Sequence, residues 1–174
     1  FKPLSLIIGQ QSPGIGVALY PSKWFMEGDA VVAETELSQS GRGRSASFLS
    51  YYRLSFLSGD YRSWNSWRFG SLKYYTPDHY ALGYMLLSTA RYKTGNYALA
   101  GDILTKIVKW FYIVDNKDYV YKRVVGFMPR KLMVETDSLM TKLWREELID
   151  EKPSDSELQI VSGTATKSRS DYFT

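Results

Sequence analysis

A glycine inside a helix is the feature that most constrains this chain. Residues 21 to 38 read as a helix, opened by Pro21-Ser22 with Ser22 as the N-cap residue and closed shortly before Gly41. Gly28 sits in the middle of it, where glycine costs about 1 kcal/mol against alanine. A sequence that accepts that cost asks for another segment to approach the backbone at that point.

The rest of the chain reads as mostly helical. Residues 1 to 20 are loop-like, with Gly9, Pro13, Gly14 and Gly16 as breakers. Ser40 to Ser45 is a loop, and Ser47 to Leu57 a second helix ending at Gly59. Residues 60 to 75 form an irregular, aromatic-rich connection. A third helix has Thr76 as cap, Pro77 in its first position, Asp78 at the positive end of its dipole and Gly95 as terminator. The fourth, Tyr97 to Tyr112, repeats Leu99, Ile103, Ile107 and Trp110 at helical spacing. After a turn at Asn116-Lys117-Asp118, residues 119 to 129 fit a short strand or a helical turn equally well. A fifth helix over Arg130 to Ile149 carries the stripe Leu132, Leu139, Met140 and Leu143. Glu151 to Ser156 has linker composition, and Leu158-Gln159-Ile160-Val161 is strand-like. The expected fold class is therefore mainly α, with residues 1–150 as a helical subdomain and 151–174 as a linker and the possible start of a β domain.

At 174 residues and 44% hydrophobic content the chain can bury one core. Aromatic residues make up 16%, so large amphipathic rings must fill that core or line a groove. With no cysteine, thiolate catalysis and disulfides are excluded. The net charge of +4 arises mainly in residues 51 to 110, where eight Lys and Arg meet only Asp60, Asp78 and Asp102. Those charges are scattered through helical segments, which describes a solvated face and not a nucleic-acid footprint. No apolar run is long enough for a signal peptide or a membrane span. The chain opens on Phe1 without an initiator methionine, so it is expected to begin inside a larger protein.

Two acids stand on one edge of the first helix. Glu27 and Glu34 are seven residues apart, about two turns or ~10 Å. By spacing alone they can be surface acids or a pair of functional carboxylates. Nearby, Arg42 and Arg44 lie in Gly41-Arg42-Gly43-Arg44, where planar guanidinium donors between glycines suit a substrate carboxylate or a plain solvated loop. His79, Tyr80 and Tyr84 open the third helix, and Tyr80, Tyr84 and Leu87 also have the spacing of a packing stripe.

The run Trp24-Phe25-Met26-Glu27-Gly28-Asp29-Ala30, with Glu34 following, resembles the glutamate helix of the gluzincin metallopeptidases. A longer similarity, through Pro21 to Val31, Glu34 to Arg44 and Gly70 to Tyr84, is to the exported bacterial members that precede a TolB-like β-propeller. The resemblance covers roughly residues 1 to 150. It implies a zinc-dependent peptidase in which zinc activates water, Glu27 is a zinc ligand and Glu34 fixes a ligand histidine from behind. It further implies that a tyrosine, Tyr80 first and Tyr84 second, with His79 as a substitute donor, stabilises the oxyanion.

The H-E-x-x-H segment that such a site requires is absent, and the sole histidine, His79, stands in another motif. The expectation is thus a fragment that binds no zinc tightly and is inactive alone, from a parent that uses zinc on a peptide or protein substrate and is exported or periplasmic. An uncovered groove along the first helix would favour self-association. The competing expectation is a non-catalytic helical module that binds a peptide or partner through an aromatic groove.

Overall fold

The computed structural model describes residues 22–109 and 117–150. Within them are seven α-helices, one 3-10 turn and no strand. The helices are α1 (Lys23–Leu37), α2 (Ala46–Leu57), α3 (Trp64–Phe69), α4 (His79–Thr94), α5 (Leu99–Lys109), α6 (Lys117–Val125) and α7 (Pro129–Asp150), with the 3-10 turn at Arg42–Arg44. The mainly α class is as expected. Residues 1 to 20, Trp110 and the strand-like 158–161 segment lie outside the described residues.

Contact divides the chain into two units, Phe1–Thr141 and Lys142–Thr174. The described part of the second is the last turns of α7, where Lys142 and Glu146 pair at 3.9 Å across one turn. None of the helices in the described residues is long and apolar enough to cross a membrane.

The first unit is organised by the contact of α1 with α4, and Gly28 is where they cross. A Cβ built on Gly28 falls within 2.7 Å of three backbone atoms of Gly83. A Cβ on Gly83 falls within 2.9 Å of the Trp24 carbonyl and the Gly28 Cα. Only paired glycines permit so close an approach. The helices run in the same sense, since eight residues beyond this crossing Glu36 of α1 accepts a 2.7 Å hydrogen bond from Arg91 of α4. The seam buries Trp24, Phe25, Val31 and Val32 from α1 and Leu82, Met85, Leu86 and Ala90 from α4.

Several helix ends differ from the sequence reading. Ser22 occupies the N-cap position of α1, but its side chain makes no capping bond and accepts instead from Arg68, at 3.0 Å. The N-cap of α4 is Asp78, whose carboxylate accepts from the Tyr80 N–H at 3.0 Å. Thr76, expected as the cap, is two residues too early and donates to the Ser66 carbonyl at 3.0 Å. Gly95 ends α4 as expected, at φ +65° with its N–H on the Arg91 carbonyl.

The connection read as irregular contains α3, capped by Ser63, whose hydroxyl accepts from the Ser66 N–H. The ambiguous 119 to 129 segment is mostly α6, which begins at Lys117 and so absorbs part of the expected turn. On the part of α7 within the first unit the buried residues include Leu132, Met133 and Thr136. Of the predicted stripe only Leu132 is fully buried, and Leu143 is 47% exposed.

One arginine holds the connection between α2 and α4 together. The Arg62 side chain is 6% exposed and pairs with the Asp60 carboxylate. It also donates to the Tyr51 hydroxyl at 3.0 Å and the Tyr75 carbonyl at 2.8 Å. Its guanidinium lies 4.4 Å from the Trp67 ring centroid and 4.6 Å from that of Tyr74, an aromatic box filled by the chain's own cation. Trp67 packs on Tyr52 and Phe56 of α2, with centroids 5.5 and 5.4 Å away.

Candidate functional site

The structure brings five of the seven singled-out residues together at the end of α1. After Leu37 the chain reverses, and the 3-10 turn returns along the last turns of the helix. Gly41 is buried there, because a Cβ would lie within 2.8 Å of the Thr35 and Glu34 backbone. Gly43 meets Tyr84 and the Thr35 hydroxyl in the same way, within 2.6 Å.

This close seat lets the loop bond to the helix. The Arg42 N–H donates to Glu34 Oε1 at 3.2 Å, and Arg42 Nε donates to Oε2 at 2.8 Å. The Gly43 N–H donates to Thr35 Oγ1 at 3.1 Å, which in turn donates to the Val31 carbonyl at 2.7 Å. Arg44 donates through Nη2 to the Thr35 carbonyl at 2.8 Å and through Nε to the Ser38 carbonyl at 3.4 Å. Those are carbonyls at the C-terminal end of α1, where a cation also meets the negative end of the helix dipole.

The two tyrosines form the other wall. The Arg42 guanidinium lies 4.8 Å from the Tyr80 ring centroid. Tyr84 packs edge-on against Phe48 of α2 with centroids 6.3 Å apart, and its ring abuts Gly43. Glu34, Arg42 and Tyr80 therefore make a stack, with Tyr84 and Arg44 bracing the loop. Hydrogen bonds from Arg42 hold the Glu34 carboxyl below the usual glutamate range.

Glu27 is placed differently. Its side chain is 19% exposed, and its carboxylate is 3.7 Å from Lys23 Nζ, one turn earlier and itself 73% exposed. His79 is the first residue of α4, and its Nδ1 is buried with no hydrogen-bond partner among the described residues.

The apolar residues of α1 divide between two faces. Trp24, Phe25, Val31 and Val32 are covered, while Met26, Ala30 and Leu37 are exposed. On the flank facing α4, Asp29 and Glu36 share Arg91, at 3.4 and 2.7 Å. Burial raises the Asp29 carboxyl above the usual range; Arg91 works against that shift and Glu36 adds to it.

A zinc ion needs three protein ligands and an open position. Among the described residues no three His, Cys, Asp or Glu side chains form a group that could hold a metal. Glu27 alone supplies one carboxylate, so these residues do not by themselves fit zinc, and no reaction step can be routed through a metal from them. The sequence reading missed the Glu34–Arg42 pair, which needs the chain to reverse between them, and the Arg62 box. No family model, curated protein or solved structure matches the chain.

Proposed function

We propose that Glu27 is one carboxylate of the zinc site of a gluzincin-like peptidase whose remaining ligands and general base come from outside the described residues. The observation that carries this reading is the unequal use of Glu27 and Glu34, two of the four acids on α1. Both Glu34 oxygens are occupied by Arg42, whereas among the described residues the half-buried Glu27 carboxylate is paired only with the exposed Lys23 ammonium, at 3.7 Å. A half-buried carboxylate on a helix fixed by a glycine crossing is held in place yet remains available to a ligand. Glu34 then serves to order the loop that carries Arg42 over Tyr80.

The reading is tested with the longest native polypeptide that contains these residues, assayed for cleavage of an unstructured protein. Cleavage should stop on chelation and in Glu27→Gln. Tyr80→Phe should lower kcat by about 10² to 10³ with little change in KM, the effect of losing one oxyanion donor. Undiminished cleavage in Glu27→Gln would remove Glu27 from the chemistry.

A second reading, a helical interaction module, is favoured by the connection between α2 and α4. Tyr61, Phe69 and Tyr75 are 84%, 69% and 71% exposed there, an aromatic surface of the kind that binds partners.

A further inference from the structure

A cavity between α5 and α6 gathers three cations and no acid. It has a volume of about 190 Å³ and is bounded by Lys106 and Lys109 of α5 and by Tyr119, Val120 and Arg123 of α6. The two helices pack on each other, and Val120, which is 3% exposed, is the apolar floor. Lys106 and Lys109 are three residues apart, so they share one face of α5 with Cβ atoms about 5 to 6 Å from each other. Tyr119 and Arg123 are four apart on α6, and Arg123 Nη1 donates to the Tyr119 hydroxyl at 2.9 Å. That bond fixes one end of the guanidinium; its Nε and Nη2 make no hydrogen bond among the described residues. Lys109 and Arg123 are exposed and Lys106 is half-buried, so a ligand in the cavity can reach all three.

What the cavity lacks is a counter-charge. Lys106, Lys109 and Arg123 form no ion pair within 4.0 Å among the described residues. The two described acids nearest in sequence are turned elsewhere. Asp102 is spaced to pair with Lys106 one turn later, but it accepts instead from the Asn96 side chain at 2.8 Å. Asp118 lines a different cavity, beside Trp24 and Trp64. Like charges gathered around one small space repel one another, and an anion held among them relieves that repulsion.

We propose that this cavity binds the phosphate group of a small soluble phosphomonoester, with Lys106, Lys109 and Arg123 as donors and with Tyr119 and Val120 against the carbon portion. Near neutral pH such a group carries close to two negative charges on three terminal oxygens, which match three cationic donors drawn from two helices. A monocarboxylate supplies about half that charge and one oxygen fewer. At about 190 Å³ the cavity is smaller than the roughly 300 to 1,000 Å³ of sites that enclose a drug-sized ligand, so it suits a phosphate with a short carbon chain better than a nucleotide. This inference goes beyond the peptidase reading and uses none of its residues.

The test is calorimetric titration of the chain at low salt with glycerol 3-phosphate, glycerol and acetate. Co-sedimentation with phosphatidylcholine vesicles containing phosphatidate presents the same group on a lipid. Glycerol 3-phosphate should bind at one site per chain, with acetate about 10-fold weaker or more and glycerol not bound. Lys106→Gln, Lys109→Gln and Arg123→Gln should each weaken it by about 10-fold with circular dichroism unchanged, the loss of one charge-assisted contact. Lys73→Gln removes an exposed lysine outside the cavity and should change the affinity less than about 2-fold. Binding should weaken between about pH 7.5 and pH 5, because the second phosphate ionisation near ~6 is lost while Lys and Arg stay charged. Equal affinity for acetate, or equal weakening by Lys73→Gln and the cavity substitutions, would mean an adventitious ion only and overturn the proposal. Binding confined to the vesicles, or no binding of glycerol 3-phosphate at all, would overturn it as well.

Discussion

Replacing Gly83 by alanine is the sharpest probe of the helix crossing. On a free helical surface this substitution stabilises by about 1 kcal/mol, because glycine is the poorer helix former. Here the added Cβ falls within 2.9 Å of the Trp24 carbonyl carbon and oxygen and the Gly28 Cα, all backbone atoms that cannot rotate away. Ordinary carbon contacts lie near ~3.5 to 4.0 Å, so α1 and α4 must separate by about 1 Å. A gap of that size forfeits roughly a quarter to a half of each dispersion contact along the seam. Together with overpacking strain of about 1 to 3 kcal/mol, the net loss is about 2 to 4 kcal/mol after the propensity gain. That is a large fraction of a typical domain's stability and should lower Tm by roughly 5 to 15 °C.

Gly101 provides the control. It is an exposed glycine within α5, and a Cβ there meets nothing within 4 Å. Gly101→Ala should therefore stabilise by about 0.5 to 1 kcal/mol. Both variants are compared with the parent chain by thermal and urea unfolding followed by far-ultraviolet circular dichroism. A Gly83→Ala chain that melts at or above the parent would refute the close crossing.

Further outcomes follow from the ion pairs. Arg62→Met takes the cation from between Trp67 and Tyr74 and leaves Asp60 without it, so urea unfolding should show a loss of about 2 to 4 kcal/mol. Asp29→Asn should leave Tm at about pH 7 unchanged or raised, because burial already disfavours the charged form and Glu36 still holds Arg91 at 2.7 Å. Glu34 has its folded-state pKa depressed by Arg42, so its contribution is present above the unfolded value of 4.5 and lost as pH falls through the lower folded value. Glu34→Gln should accordingly show a smaller loss of urea midpoint between about pH 5 and pH 2 than the parent, and an equal loss would contradict the pairing.

Local signals in the sequence were legible where one residue decides the outcome. Gly28 announced a close approach because its cost has to be offset by something, and Gly95 marked the end of α4 because a left-handed residue was required there. Its partner Gly83 carried no comparable signal, since a glycine among Ala81, Leu82 and Tyr84 does not identify the segment it will meet. Thr76, Pro77 and Asp78 offered competing starts for one helix, and the Asp78 carboxylate that reaches the Tyr80 N–H decided it.

The β-branched Val120, Val124 and Val125 left residues 119 to 129 undecided by period, and burial of Tyr121 and Val125 four residues apart belongs to a helix. Long-range pairings were the blind spot. Arg42 between two glycines looked free to bind a substrate, but its pairing with Glu34 depends on a turn whose glycines must seat against α1. Arg62 could not be singled out, because Tyr51, Trp67 and Tyr74 come from three different places in the chain.

The metal content of the longest native polypeptide bearing these residues tests the account of Glu27 most directly. After dialysis against metal-free buffer the parent should retain about one zinc per chain, Glu27→Gln should retain none, and Glu34→Gln, whose carboxylate is held by Arg42, should retain zinc as the parent does. Zinc held equally by the parent and by Glu27→Gln, or absent from the parent, would contradict it.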